Sequence, residues 1–388
     1  MTRFAPFSGL RYHRTDGSTA DLTRLVAPPY DVLSDAQRQS LEDNDPANSV
    51  RLDYPRGAAD PTAYVGARAD LDRWVASGIL TLDSSPTLTV YRMTPQGTGR
   101  STTGVLGALG LEQPGIGDVL PHEETTTKDK ADRLSLIRAT EINTSPIWVL
   151  ATASGLGAAC SAAIGDRCAD ATATDLDEVL HEVWVISDPA ALAALSVAAA
   201  GGPVVVADGH HRLETALAYQ QEAPLADAIL AYVVELTESE LEVRPIHRIL
   251  SIPAGVKLLD HLDAWFDRRE VIGVVKAAPL DGPVLITGPA TSVVLIPKTG
   301  AFDSSVGLDS ERLRTALGAL DGVGVRFHHD AEVVIEAASQ PDQMGVLLRP
   351  ATVSQIRAVA DARKRMPPKT TFFWPKPRTG LVFRPVAS

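Results

Sequence analysis

The sequence predicts a mixed α/β (α+β) fold, and three observations predict it. Short apolar runs of strand length, such as Leu88–Met93 and Ala228–Leu236, alternate with longer runs whose apolar residues recur at helical spacing. One junction is abrupt: Val204-Val205-Val206-Ala207 ends at Asp208-Gly209-His210-His211-Arg212, and Leu213, Ala216, Leu217 and Gln220 then follow at helical spacing. That is the pattern of strand, tight turn and helix. The composition, 45% hydrophobic and 22% charged in 388 residues, is that of an ordinary globular chain. It is longer than one compact core usually holds, so two or three subdomains are expected.

In chain order, Val26–Leu33 is extended and stiffened by Pro28 and Pro29, and Ser34 caps a helix through about Asn44. Ser49–Tyr54 alternates like a strand and ends at Pro55. Ala63–Ser77 carries Tyr64, Ala67, Leu71 and Trp74 at helical spacing and is stopped by Gly78. Leu88–Met93 reads as a strand, with Thr103–Leu111 as its hairpin partner across a glycine-rich turn. A polar loop at Pro121–Thr127, a helix near Lys128–Thr140 and a strand at Pro146–Leu150 follow. Next come an Ala/Gly-rich helical region and the strand Glu182–Ser187. The weakly polar run Pro189–Ala207 is broken by Gly201-Gly202-Pro203, so it reads as helix, break and strand, with no membrane span. After the strand Ala228–Leu236, the chain from about Pro253 mixes short strands with helices near Ser310–Leu317 and Val353–Lys364. It closes with Met366–Trp374 and Leu381–Phe383. The expected division is a mixed α/β region over 1–102, a core over 103–250 and an α/β region over 251–388 that completes the fold.

The net charge of −12 opposes nucleic-acid binding, where a basic face supplies most of the affinity. Two cysteines, Cys160 and Cys168, match no zinc or redox spacing and do not form a disulfide framework. The first residues lack the apolar core of a signal peptide. The expected location is therefore the cytoplasm.

The Asp208–Arg212 turn is the leading candidate site. Basic groups are disfavoured at a helix N-terminus by about 0.3–1 kcal/mol each, yet His210, His211 and Arg212 sit there. An anion, most simply a phosphate, resolves the conflict. Gly209 allows close backbone approach, Arg212 offers a two-pronged grip, and Asp208 is a base, a Mg²⁺ ligand or a helix cap. A second candidate, Pro121–Arg133, brings three threonines with Lys128, Lys130 and Arg133 to a helix start. Hydroxyl and cationic groups suit a polyphosphate. Asp129 and Asp132 nearly balance these bases, and spacing alone reads the run as a solvated helix start. His247-Arg248 lies just before an apolar pair, where a histidine is more often structural. His328-His329-Asp330 lacks further metal-ligand spacing and reads as a polar loop or strand end. In Met366–Lys376, Lys369 and Lys376 could reach a phosphate, but the aromatic run points first to packing of a terminal strand.

Six blocks then occur in order: Ala27–Val32, Ser49–Leu52, Leu120–Glu123, Ala207–Arg212 with Glu214–Ala216, Pro245–Arg248, and Met366–Lys376. Together they resemble a bacterial and archaeal family of formerly unknown function that is similar to the ParB/sulfiredoxin superfamily and to free-serine kinases. The resemblance spans nearly the whole chain. It implies a ParB-like phosphate-binding core with N- and C-terminal elaborations. His210 stands where sulfiredoxin has its catalytic cysteine, which excludes that chemistry. The acidic charge and the lack of a helix-turn-helix pattern exclude a partition protein. Glu124 replaces a base usual in the family.

The expected function is phosphoryl transfer from ATP, ADP or pyrophosphate, with Mg²⁺, to a small hydroxyl compound, free L-serine first. Gly209, His210 and Arg212 would cradle the donor phosphates, with Lys128, Lys130 and Arg133 adding charge. Asp208, Glu123 and His211 are the catalytic candidates, and Asp208 is also the metal-ligand candidate. Arg51, His247 and Arg248 are the substrate-binding candidates. The alternatives are a non-catalytic nucleotide-binding regulatory or scaffold protein, and a metal-dependent phosphohydrolase using Asp208, His210 and His211. No membrane partner is expected, and homodimerisation stays open.

Overall fold

The computed structural model describes residues 2–13, 18–57, 61–113, 116–121, 130–273, 275–278, 281–288, 291–302, 306–318 and 320–387. Of the sequence candidates, Glu123 and Lys128 lie outside the described residues. For Lys130 only its place at the start of the helix Lys130–Thr140 is described. The chain divides into two compact units. The first is built from residues 1–121, 125–241 and 375–388, and the second chiefly from 242–374. The expected boundary at residue 102 falls inside the first unit, between Leu88–Pro95 and Thr102–Gly110, which pair antiparallel.

The first unit is organised by a ten-stranded mixed sheet. Its central strands run in the order Val179–Ile186, Leu88–Pro95, Thr102–Gly110, Ala228–Glu235, Ile147–Ala151, Val204–Asp208. Ala228–Glu235 and Ile147–Ala151 are parallel, and the other neighbouring pairs in this central run are antiparallel. Val204–Asp208 also pairs in parallel with Val119–Pro121. The near-continuous apolar runs of these strands reflect burial on both faces. Leu88, Val105, Val149, Val206 and Val233 form one core with Leu156, Cys160 and Ile164 of the helix Leu156–Ile164 and with Leu195 and Ala199 of the helix Pro189–Ala199. The helix His210–Glu222 adds Leu213 and Ala216 to this core, while Tyr219 packs with Ile137 and Val386.

Local signals account for much of this. Ser34 accepts the Gln37 N–H and the Gln37 side chain returns to the Ser34 backbone, a complete capping box for Asp35–Asn44. Two expectations are corrected. Ser49–Tyr54 is not a strand: Val50–Asp53 is a short helix. Ser49, Val50, Leu52 and Asp53 are all buried, so the alternation does not separate an inside from an outside. Asn48 shapes the turn by accepting the Val50 N–H at 2.9 Å while donating to Arg24 O and Val26 O. The second correction concerns the Ala/Gly-rich region after Leu150, which also contains the strand Ala171–Thr174, paired with Val179–Ile186. Its two alanines carry little strand propensity, so register with a neighbour decides its state.

The second unit is a six-stranded antiparallel sheet in the order Phe266–Ile272, Thr291–Pro297, Val284–Gly288, Gln343–Leu347, His247–Ser251, Gly324–His328. Successive residues face opposite sides. Leu250, Leu285 and Leu295 pack with the helices Leu258–Leu262 and Asp309–Leu317. Ile249, Val284, Ile286 and Val294 pack with Val334 of the helix Ala331–Ala337. The aromatic run near residue 372 forms the strand Thr371–Trp374, a ribbon with Glu242–Pro245 that buries Phe373.

Two predictions follow from this packing. A Cβ added at Gly104 would lie 2.2 Å from Val233 O, so Gly104→Ala should destabilise the protein by about 1–3 kcal/mol, read from chemical denaturation. In the second unit, burial and the Arg248 charge lower His247 to about 4 from its usual 6.5. Its contribution to stability is then complete above pH 6.5 and lost as pH falls toward 4, by up to about 3 kcal/mol. His247→Gln, which keeps an acceptor for the Leu348 N–H, should lose correspondingly less stability over that window. Equal losses in both proteins would refute the assignment.

Candidate functional site

The strand Val204–Asp208 is buried up to its last residue and ends at Gly209, whose φ of 90° places it in the left-handed region. A Cβ there would meet Ile147 Cγ2 at 2.8 Å and the Arg212 guanidinium at 3.1 Å, so only glycine fits. The helix His210–Glu222 starts immediately, and its N-cap Gly209 supplies no side-chain cap. The first-turn N–H groups therefore have no side-chain acceptor from the cap position.

Asp208 lies between two cations. Arg212 Nη2 donates to Asp208 Oδ2 at 2.7 Å, and Lys376 Nζ donates to Asp208 Oδ1. All three side chains are largely buried. Burial alone would raise the Asp208 carboxyl. The charges of Lys376 and Arg212, the Lys376 hydrogen bond and His210 outweigh it and hold the group well below the usual carboxylate range. Arg212 also donates to Pro146 O and reaches Ser145 Oγ at 3.4 Å. Burial disfavours its charge, but Asp208, then Asp31, Tyr30 and Asp53, raise its proton affinity above the usual value. Two cations thus converge on Asp208 at the start of the helix, with Asp31 and Asp53 also acting on Arg212.

A small cavity of about 40 Å³ lies beside Arg212. Arg133 and Arg212 contribute guanidinium groups to its wall, with Asp53, Thr144, Ser145 and Thr215 among the polar residues. Leu136, Ile137, Ile142 and Ile229 line the rest. Asp53 is 1% exposed and organises the polar side. Its Oδ1 accepts from Thr144 Oγ1 at 2.6 Å and Ser145 Oγ at 3.2 Å, and its Oδ2 accepts from the Tyr30 N–H and Thr379 Oγ1. Arg133 donates to Asp53 O at 2.6 Å, pairs with Asp132, and stacks its guanidinium 3.9 Å from the Tyr30 ring centroid. Burial, with Asp31, raises the Tyr30 phenol far above its ordinary value, against the pull of Arg212 and Arg133. Thr215 Oγ1 faces this pocket region with no hydrogen-bond partner, on a residue 5% exposed.

The structure thus brings together Asp208, Gly209, Arg212 and Arg133, with His210 and His211 half-buried in the first turn of the helix. The other candidates have different surroundings. Arg51 Nε donates to Asp70 at 2.8 Å. His247 and Arg248 belong to the second unit and are each 4% exposed. His247 Nδ1 accepts the Leu348 N–H, and Arg248 donates to Ile246 O and lies over the Phe327 ring. Sequence reasoning missed Asp53, Tyr30, Thr144, Ser145 and Thr215, and weighed Lys376 as a phosphate contact but favoured packing of a terminal strand. Tyr30 and Lys376 lie in the blocks that carry the family resemblance, which was the available signal. Asp53 gave none, because its role depends on segments far away in sequence.

Among the described residues, no helix is long and apolar enough to cross a membrane, and no group of three or more His, Cys, Asp or Glu is placed to hold a metal ion. No curated protein matches the chain. Several solved structures do. SbnI with a C-terminal truncation, from Staphylococcus aureus, is 14% identical with a TM-score of 0.42, over 73% of this chain and 88% of that one. A free serine kinase in complex with AMP is 12% identical with a TM-score of 0.36, over 66% and 83%. A conserved hypothetical protein from Pyrococcus furiosus is 14% identical with a TM-score of 0.35, over 68% and 90%. Likeness at this level carries nothing about activity. The family model described as "Protein of unknown function (DUF1015)" matches residues 4–361, and the chain belongs to that family.

Proposed function

We propose that the first unit is a ParB-like phosphate-binding core and that the protein transfers a phosphoryl group from ATP, ADP or pyrophosphate to a small hydroxyl compound, with free L-serine as the leading acceptor. The observation that carries this reading is the cationic charge of Arg212 and Lys376, held by Asp208 at the start of the helix His210–Glu222. Asp208 is bound by both Arg212 and Lys376, the N-cap Gly209 supplies no side-chain cap, and a small cavity of about 40 Å³ lies beside Arg212. An anionic donor offsets that charge and meets the first-turn N–H groups.

In this reading Gly209, His210 and Arg212 hold the donor phosphates, and Arg133 faces the pocket from the opposite helix. Lys128 and Lys130 are assigned to the same charge. Phosphoryl transfer depends mainly on positioning and charge stabilisation, which such a set supplies. Asp208 acts by orienting Arg212 and Lys376, because a carboxyl of such low proton affinity is a weak base. Glu123 and His211 remain the proton acceptors of the proposal. Of the cations considered for a substrate carboxylate, Arg51 is held by Asp70 and Arg248 by the main chain.

Mg²⁺ finds no dedicated cage among the described residues. Asp208 is its one named ligand, and cations engage both oxygens. A metal brought by the donor phosphates needs few protein ligands, and no step is drawn through it. The phosphohydrolase reading asks Asp208 for an open oxygen and is weakened for the same reason. The low basicity of Asp208 does favour a second reading, a nucleotide-binding protein without turnover.

Two experiments separate these readings. Incubation of the folded protein with L-serine, Mg²⁺ and ATP, ADP or pyrophosphate should yield phosphoserine, detected by mass spectrometry. Nucleotide binding with no product from any donor would exclude the kinase and leave the binding protein. Arg212→Lys, which keeps the charge and loses the two-pronged grip, should weaken ADP binding by about tenfold or more in calorimetry. Unchanged affinity in a folded variant would remove the phosphate turn from the proposal.

A further inference from the structure

The second unit contains a cavity of about 490 Å³, within the range of roughly 300–1,000 Å³ usual for small-molecule sites. It shares no lining residue with the pocket beside Arg212. Leu308, Leu348 and Pro350 give it apolar walls, and Asp309, Arg312 and Arg349 bring charge.

The charges are unequally matched. Asp309 opens the helix Asp309–Leu317 and is 5% exposed. Both of its oxygens are taken by one residue. The Arg349 N–H and Nε donate to Oδ2 at 3.1 and 2.9 Å, and Arg349 Nη2 donates to Oδ1. Arg312 sits one turn along the same helix, at the i,i+3 spacing from which an arginine ordinarily pairs with such an acid. With Asp309 engaged, Arg312 has no acid partner among the described residues. Its Nε is buried without a hydrogen-bond acceptor, and the ring it approaches, Phe302, is 5.9 Å away. The Arg312 side chain, partly buried, lines the cavity beside this closed-off Nε.

Other groups in the cavity do not answer this need. Thr370 Oγ1 donates to Pro367 O, so the hydroxyl hydrogen shared between Ser310 and Thr370 comes from Ser310. Neither oxygen is charged. The N-cap residue Leu308 supplies no side-chain acceptor to the helix end. The Arg312 guanidinium therefore favours an anion, and the surrounding walls favour an apolar body.

We infer that this cavity binds a small organic anion, a carboxylate or phosphate monoester with a short aliphatic body. The head group would lie in the fork of Arg312 at the start of the helix, and the body against Leu308, Leu348 and Pro350. The inference stands independently of the phosphoryl-transfer proposal, because it rests on other residues and a binding readout.

The test is calorimetric titration of the full-length chain with butyrate, butyl phosphate and 1-butanol. At least one anion should bind, and butanol should bind at least about tenfold more weakly. Arg312→Gln should reduce the anion to the level of butanol, and Arg312→Lys should recover part of the loss. Preference between the two anions identifies the head group. The inference fails if neither anion binds, if butanol binds as tightly, or if Arg312→Gln leaves the affinity unchanged. Should Arg312→Gln not fold, Arg312→Lys and the comparison of butanol with the anions on the unaltered protein still decide.

Discussion

The ion contact of Asp208 with Arg212 and Lys376 is the constraint on which the arrangement of the first unit depends. A carboxylate removed from water is costly unless it is paired and hydrogen-bonded. Here the three groups come from the end of a central strand, the first turn of the following helix, and a segment 168 residues further along. Satisfying Asp208 therefore fixes where the helix begins and where residues after 375 must run. Gly209 makes the contact geometrically accessible, since any side chain there would occupy the space of Ile147 and Arg212.

Residues 375–388 are held by more than Lys376. Arg378 pairs with Asp175, and its backbone N–H reaches Tyr91 Oη. Tyr91 and Asp175 meet the two nitrogens of the buried His181. Burial lowers the proton affinity of His181 despite the neighbouring Asp175. Thr379 exchanges backbone hydrogen bonds with Ala27 and reaches Asp53 through its hydroxyl. Phe383 does the same with Leu10, and Arg384 donates to Ala228 O. One terminal segment thus links the cation beside Asp208 to the carboxylate that organises the pocket. The site is assembled from residues 30–53, 133–145, 208–215 and 376–379, and no single local motif contains it.

That assembly explains what the sequence could and could not reveal. Strand, glycine turn and helix around Asp208 were legible because each follows from local periodicity and from what one glycine permits. The same holds for the Ser34 capping box, whose two reciprocal hydrogen bonds involve residues three apart. Val50–Asp53 misled, because alternation implies a half-buried strand only when one side faces water, and here both sides are buried. Asp53 was illegible for a related reason. Its partners lie 23, 91 and 326 residues away, and nothing in its immediate neighbours marks an acid that will be desolvated. Ala171–Thr174 was missed because its strand state depends on register with a neighbour more than on its own side chains.

The geometry also bears on what Asp208 contributes. An aspartate before a helix ordinarily turns an oxygen toward the first N–H groups and closes that end of the helix. In this structure the N-cap is Gly209 and no side chain caps it. The Asp208 oxygens are directed to Arg212 and Lys376 instead. The difference matters electrostatically. A capping carboxylate would cancel the helix-end charge and leave nothing for an anion to offset. A carboxylate bound by two cations instead fixes the position of both. In the proposed reading, His210, His211 and Arg212, unfavourable for an isolated helix, are the groups that an anionic donor would meet.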